Sequence, residues 1–243
     1  MPLPPVHTDA DSASSPGEGA AVLLPSRVLI IRPSALGDVC RSVPLAASLH
    51  AAWPQARVEW LVQDAFAPAV AAHPGVGGVV PFARSRLGQW FRPGVAVEAF
   101  NFVRGLAGAK YDVVIDAQGL LRSGVFALAT RARLRVGFEN AREMGWLGTN
   151  IRVPAPRSMH AVDRMLKLLE PLGVPALRDL RLYVPPDSRA AGDRDERLRG
   201  RFALLAPTSR WPGKRWATTR FVALARALLD AGDVERVVLV GSK

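Results

Sequence analysis

Apolar residues in this chain gather in short β-branched runs, and the stretches between the runs carry helical spacing. The first run, Val28-Leu29-Ile30-Ile31, is closed by Pro33 and predicts a buried strand with order beginning at Arg27. Similar runs predict strands at 58–62, 78–82, 111–117 (YDVVIDA) and 133–138. Helical patterns fit between them at 36–52, 64–72, 95–109 and 120–130. A further amphipathic stretch spans 160–172, with Met165, Leu168, Leu169 and Leu172 on one face. Strands alternating with helices predict parallel βαβ units, hence a doubly wound α/β sheet.

The ends of the chain read differently. Residues 1–26 are rich in Pro, Ser, Gly and Ala and show no apolar periodicity. They lack the basic start and long apolar core of a signal peptide, which predicts a disordered leader and a cytoplasmic protein. At Val184-Pro185-Pro186 the pattern changes to a charged, apolar-poor run, read as a linker or an exposed helix. A new cycle then opens, with a strand at 202–206, a loop at 207–213, a helix at 218–231 and a strand at 236–240. The expected organisation is a first domain over 27–186, a linker over 187–200 and the start of a second α/β domain over 201–243.

Composition narrows the classes. With 243 residues, 49% of them hydrophobic and 22% charged, and a mean hydropathy of +0.12, the chain has ample material for a core. No apolar run approaches the roughly 18 residues of a membrane span. The one cysteine, Cys40, excludes an internal disulfide framework, a Cys-rich zinc cluster and a CxxC redox pair. The four histidines (His7, His50, His73, His160) show no metal-ligand spacing, so no protein-bound metal is expected. A net charge of +11, from 32 basic and 21 acidic residues, suits a phosphate-rich partner or simply an Arg-rich composition. The arginines are spread along the chain and form no nucleic-acid arm, and no GxGxxG follows a strand to support a dinucleotide enzyme.

Chemistry can sit at three turns, each at the carboxyl end of an expected strand, where open α/β sheets bind ligands. In Pro33-Ser34-Ala35-Leu36-Gly37-Asp38, small residues allow close backbone approach. Asp38 there is either a first-turn residue complementing the helix dipole or a general base. In Asp116-Ala117-Gln118-Gly119-Leu120, Asp116 and Gln118 either bind sugar hydroxyls or cap the next helix. In the run from Pro207 to Trp216, Thr208, Ser209 and Lys214 are either a pyrophosphate site or part of a Trp-anchored loop with solvated cations. His160 and Arg164 stand one turn apart, and a lone His at a helix start is more often a cap than a ligand.

In order along the chain, RVLIIRPSALGDVCRSVPLAASLHAAWPQARVEWLV, YDVVIDAQGLLRSG, VGFENARE, MHAVDRMLKLLEPLG and APTSRWPGKRW together resemble the bacterial lipopolysaccharide heptosyltransferases. These are glycosyltransferases of the two-domain GT-B fold, and the likeness is greatest to members that add the first heptose to Kdo. The resemblance implies a complete N-terminal Rossmann-like acceptor domain and a fragment of a second, nucleotide-sugar-binding one. It implies Asp38 as general base and Thr208, Ser209 and Lys214 on the ADP portion of the donor. Ser34, Asp116, Gln118, Arg122, Arg142, His160 and Arg164 become candidates for the acceptor. The implied reaction is an inverting, metal-independent transfer from ADP-L-glycero-β-D-manno-heptose, which is a substrate; no cofactor is expected. The implied partners are a Kdo-lipid A acceptor and the anionic inner leaflet, with the protein peripheral at the cytoplasmic face. Family members continue past this point, so the chain is expected to hold a shortened donor domain and to lack useful turnover. Alternatives are a relative that heptosylates another glycan or a protein, or an inactive remnant that only binds acceptor.

Overall fold

The computed structural model describes residues 24–84, 93–209 and 212–241; most of the expected leader lies outside them. In chain order the first elements are β1 (Arg27–Ile31), α1 (Leu36–Arg41), α2 (Val43–Ala52), β2 (Arg57–Gln63), α3 (Pro68–Ala71) and β3 (Gly78–Phe82). They are followed by α4 (Pro93–Gly108), β4 (Val113–Asp116), α5 (Leu121–Ala129), β5 (Leu134–Phe138), β6 (Ile151–Val153) and α6 (Ala161–Leu166). After these come α7 (Pro186–Arg194), β7 (Phe202–Leu205), α8 (Thr218–Asp230) and β8 (Arg236–Leu239). The first six strands form one sheet in the order β3-β2-β1-β4-β5-β6, every neighbouring pair parallel. The last two form a separate parallel pair.

The central strand shows why its sequence is a continuous apolar run. Val28 and Ile30 point into one core, with Trp60, Ile115 and the buried side of α2. Leu29 and Ile31 point into the other, with Val114, Leu106 and Phe126. A strand covered on both faces has no polar side to alternate with. One polar group interrupts the second core. The buried Glu59 carboxylate accepts from Tyr111 Oη at 2.6 Å, Arg27 Nη2 at 2.8 Å and Arg57 Nε at 2.9 Å. Burial raises its pKa, but these donors outweigh burial and hold the carboxyl below its usual range. Burial, and then the hydrogen bond to Glu59, push the Tyr111 phenol well above its ordinary value.

Three expected helices are broken, each at a proline. The 36–52 segment is two helices divided at Ser42, because Pro44 has no N–H to give Cys40 and its ring crowds the preceding turn. The 64–72 segment is a 3₁₀ turn followed by α3, which opens on Pro68. The 160–172 segment passes from α6 into a 3₁₀ turn over Lys167–Leu172 that holds Pro171 and ends at Gly173 in the left-handed region. The strand expected at 111–117 pairs only over Val113–Asp116. The segment after Pro186 takes the exposed-helix form, α7, with no buried residue. Two elements had no sequence signal, the short edge strand β6 and a 3₁₀ turn over Gly145–Gly148.

That 3₁₀ turn lies on α5 through glycines. A Cβ on Gly124 would collide with the Gly145 carbonyl, and one on Gly148 with the Gly124 carbonyl. Gly105, exposed in the last turn of α4, has nothing within 4 Å of its Cβ position. Gly124→Ala is therefore expected to destabilise the chain by at least about 2 kcal/mol through overpacking. Gly105→Ala should stabilise it by about 0.4–1 kcal/mol through lost unfolded-state freedom. Urea denaturation of both variants measures the contrast, and equal shifts would contradict the close approach.

Candidate active site

In the large sheet the chain order reverses between β1 and β4, so the turns leaving these two strands diverge and open a crevice at their carboxyl ends. The register sets Ile31 beside Asp116, and Asp116 beside Gly137. Arg32, Asp38 and Gln118 thereby come together at one edge.

A cleft of about 290 Å³ lies there, lined by Arg32, Asp38, Gln118, Asn140, Arg142, Arg157 and Arg164 among others. Asp38 sits in the first turn of α1, its side chain 42% exposed, with Oδ2 3.2 Å from Arg32 Nη2 and Oδ1 3.9 Å from Arg41 Nη1. Arg32 is buried, donates through Nη1 to the Ala117 carbonyl, and keeps a buried Nε with no partner among the described residues. Burial lowers its pKa, and the Asp38 and Asp116 carboxylates oppose that. Across the cleft, Arg164 stacks 3.9 Å above the Phe138 ring. Its Nε donates to Ala155 O at 3.0 Å and its Nη2 to Asn140 Oδ1 at 2.8 Å. Arg157 donates to Asn140 O at 3.2 Å. Among the described residues, Arg142, Arg157 and Arg164 pair with no carboxylate. Burial and then the charges of Arg157, Arg32 and Arg142 draw the Arg164 pKa down. A ligand carrying carboxylate or phosphate relieves this repulsion.

A second recess of about 180 Å³ adjoins the first and shares Gln118 and Leu120 with it; Ser34, Arg84, Arg122 and Ser123 line it. Gln118 ties the two turns together, accepting from the Ser34 amide at 3.3 Å. Of the expected residues, Ser34, Asp38, Gln118, Arg122, Arg142 and Arg164 thus converge on these two recesses.

Two expected acceptor residues do not face the recesses. Asp116 is 1% exposed. Its Oδ1 accepts from the Gln118 and Gly119 amides, each at 3.0 Å, and its Oδ2 from Ser123 Oγ at 2.9 Å. Buried and with both oxygens hydrogen-bonded, it caps the strand-to-helix turn rather than facing a solute. His160 caps α6, its Nδ1 accepting from the Val162 amide at 3.4 Å, and it faces Asp163 and Arg178. Thr208, Ser209 and Lys214 lie at the carboxyl edge of the β7–β8 pair. There a Cβ on Gly241 would come within 2.9 Å of Thr208 Oγ1, so the two residues that follow these strands approach closely. Part of the expected loop, Arg210 and Trp211, lies outside the described residues.

The residues that sequence reasoning missed are Arg32, Asn140 and Arg157. Arg32 carries a usable signal, since the residue just past a strand at a topological reversal faces the crevice. Asn140 and Arg157 carry none, because only the β5–β6 pairing brings them to the Asp38 turn.

The family model described as "Glycosyltransferase family 9 (heptosyltransferase)" matches residues 99–243. The chain belongs to this family. Among relatives of glycosyltransferase family 9, lipopolysaccharide heptosyltransferase 1 of Escherichia coli (strain K12) is 34% identical over 146 residues, 58% of this chain and 46% of the relative. The lipopolysaccharide core heptosyltransferase OpsX of Haemophilus influenzae is 24% identical over 204 residues, 83% of this chain and 56% of that protein. The chain thus spans about half the length of these curated relatives. The solved structure "E. coli heptosyltransferase WaaC with ADP-2-deoxy-2-fluoro heptose" superposes with a TM-score of 0.74 at 26% identity, covering 89% of this chain and 69% of that one. The α/β architecture is that of the GT-B heptosyltransferases, as expected from the resemblance.

Burial raises the Asp116 pKa to about 6, against the hydrogen bonds from Gly119, Ser123 and Gln118. A carboxyl titrates near 3.9 when unfolded, so from about pH 4 to about pH 6 the folded state holds more protons and stability falls as pH rises. In Asp116→Asn the amide donates to Ser123 Oγ and its oxygen still accepts from both backbone amides. Wild type should therefore lose on the order of 2–3 kcal/mol relative to Asp116→Asn between pH 4 and pH 7. Denaturation curves across that range check it, and a constant difference would contradict the buried acid.

Proposed function

We propose that this chain serves the transfer of L-glycero-D-manno-heptose from ADP-heptose to the Kdo of the lipopolysaccharide inner core, the reaction of heptosyltransferase I. The observation that carries this reading is Asp38, a half-exposed carboxylate held by the buried Arg32 in a cleft whose other charged lining residues are all arginines. The relatives' names and the ADP-2-deoxy-2-fluoro heptose in the WaaC structure support the donor. The unpaired arginines support an acceptor that bears carboxylates and phosphates.

In this mechanism Asp38 takes the proton of an acceptor hydroxyl as its oxygen attacks the anomeric carbon opposite the diphosphate. The bond from that carbon to the β-phosphate oxygen breaks, and its electron pair leaves with ADP, inverting the centre. Lys214, Thr208, Ser209 and the amides of their turn stabilise the charge gathering on the diphosphate, without a metal ion. Arg142, Arg157 and Arg164, with Ser34, Gln118 and Arg122, hold the acceptor. The protein works at the cytoplasmic face of the inner membrane as a peripheral enzyme. Among the described residues no helix is long and apolar enough to cross a membrane.

In a form of the protein carrying a full donor domain, assayed for ADP release from ADP-heptose with a Kdo-lipid A acceptor, Asp38→Asn should lower kcat by about 10²–10⁴. Donor affinity should hold, whereas Lys214→Ala should weaken it through a lost charge-assisted contact. A stably folded Asp38→Asn that keeps wild-type turnover would overturn the base. Acceptor binding is read separately and without donor. Arg164→Ala should weaken Kdo-lipid A binding by the 243-residue chain about tenfold or more, and unchanged binding would remove the arginine cleft from the acceptor site.

A further inference from the structure

The outer sides of α4 and α5 are apolar where a solvated helix would be polar. Val97, Phe100, Leu121, Val125 and Leu128 are each between 44% and 65% exposed. Leu121, Val125 and Leu128 recur at the spacing of one helix face, while Phe126 and Ala127 of the same helix face the core. The helix is therefore apolar on both sides, and the sheet accounts for only one of them. The 3₁₀ turn packed on α5 extends the outer surface with Leu147, and Met144 just before it is 58% exposed. Between α4 and the end of α5 runs an apolar groove of about 240 Å³, lined by Phe100, Val103, Ala107 and Ala129 and flanked by Arg104 and Arg131. Across both helices the sequence holds one carboxylate, Glu98.

We infer that the α4–α5 face is a membrane-docking surface that inserts its apolar side chains into an anionic lipid bilayer. Apolar residues on two contacting helices, flanked by arginines that could reach headgroup phosphates, are the chemistry of an interfacial anchor. Charge decides the occupant. A second copy meeting this face about a two-fold axis would set arginine rim against arginine rim, whereas an anionic leaflet complements it. The face also borders the acceptor recesses, since Leu121 follows Leu120, and Met144 follows Glu143, both lining residues. A substrate whose lipid part stays in the bilayer would present its head group at that edge. This last point alone rests on the transferase reading.

The test is vesicle co-sedimentation of the 243-residue chain, with no glycan present, so its outcome is independent of the reaction. Vesicles of phosphatidylcholine alone are compared with vesicles holding about one quarter phosphatidylglycerol, in about 0.1 M salt. Binding is expected to the anionic vesicles. Phe100→Ser/Leu128→Ser, and separately Arg104→Ala/Arg131→Ala, should each lower the partition coefficient about tenfold or more. Leu182→Ser, an exposed apolar change outside the face, should leave it unaltered. All of these positions are at the surface, so circular dichroism and melting temperature should match wild type. Absent vesicle binding, binding indifferent to both double variants, or a dimer that Phe100→Ser/Leu128→Ser dissociates would each overturn the inference.

Discussion

The site hangs on one buried guanidinium. Arg32 leaves the end of β1 and donates to the Ala117 carbonyl just past β4, while its other terminal nitrogen holds the Asp38 carboxylate. The strands at this point belong to opposite windings of the sheet, so nothing within either turn alone fixes it against the other. A charge that is 9% exposed tolerates few arrangements, because losing either partner leaves it uncompensated in a poorly solvated place. The same constraint that orders the two turns therefore aims Asp38 into the cleft.

The arginines divide by their partners. Arg181 and Arg197 are spent on carboxylates two residues away, Asp179 and Asp195. Both carboxyls are pulled down to about 2 by those hydrogen bonds. Such exposed pairs are neutral at a distance and contribute little to stability. In the cleft, Arg157 and Arg164 are held instead by carbonyls, the Asn140 amide and the Phe138 ring. These partners fix the guanidinium planes without cancelling their charge. Much of the positive excess is thus dispersed, and one concentrated part is left for an anion.

The small β7–β8 pair contrasts with the large sheet. None of the residues of α8 is buried, and Leu204, Val222 and Leu239 remain exposed. A two-stranded sheet offers a helix too little apolar surface to cover. Thr208 and Gly241 still approach closely, so the turn expected to meet a diphosphate takes shape from local pairing.

The parallel α/β class, the β1, β3 and β5 strands and the turn of Asp38 were legible in the sequence, because apolar runs and the residues that end them are local properties. Helix continuity was legible only in part. The prolines at 44, 68 and 171 stand where the apolar pattern runs on, and the backbone follows the missing N–H rather than the pattern. The edge strand β6 escaped notice because Arg152 interrupts a run of three residues. Asp116 and His160 take the capping role that their place at helix starts already offered, rather than the acceptor role that the resemblance implied. The cleft itself is a product of register. Asn140, Arg157 and Arg164 reach Asp38 because β4, β5 and β6 pair in sequence beside β1, and pairing across such separations depends on how whole faces are buried, which no local stretch of residues encodes.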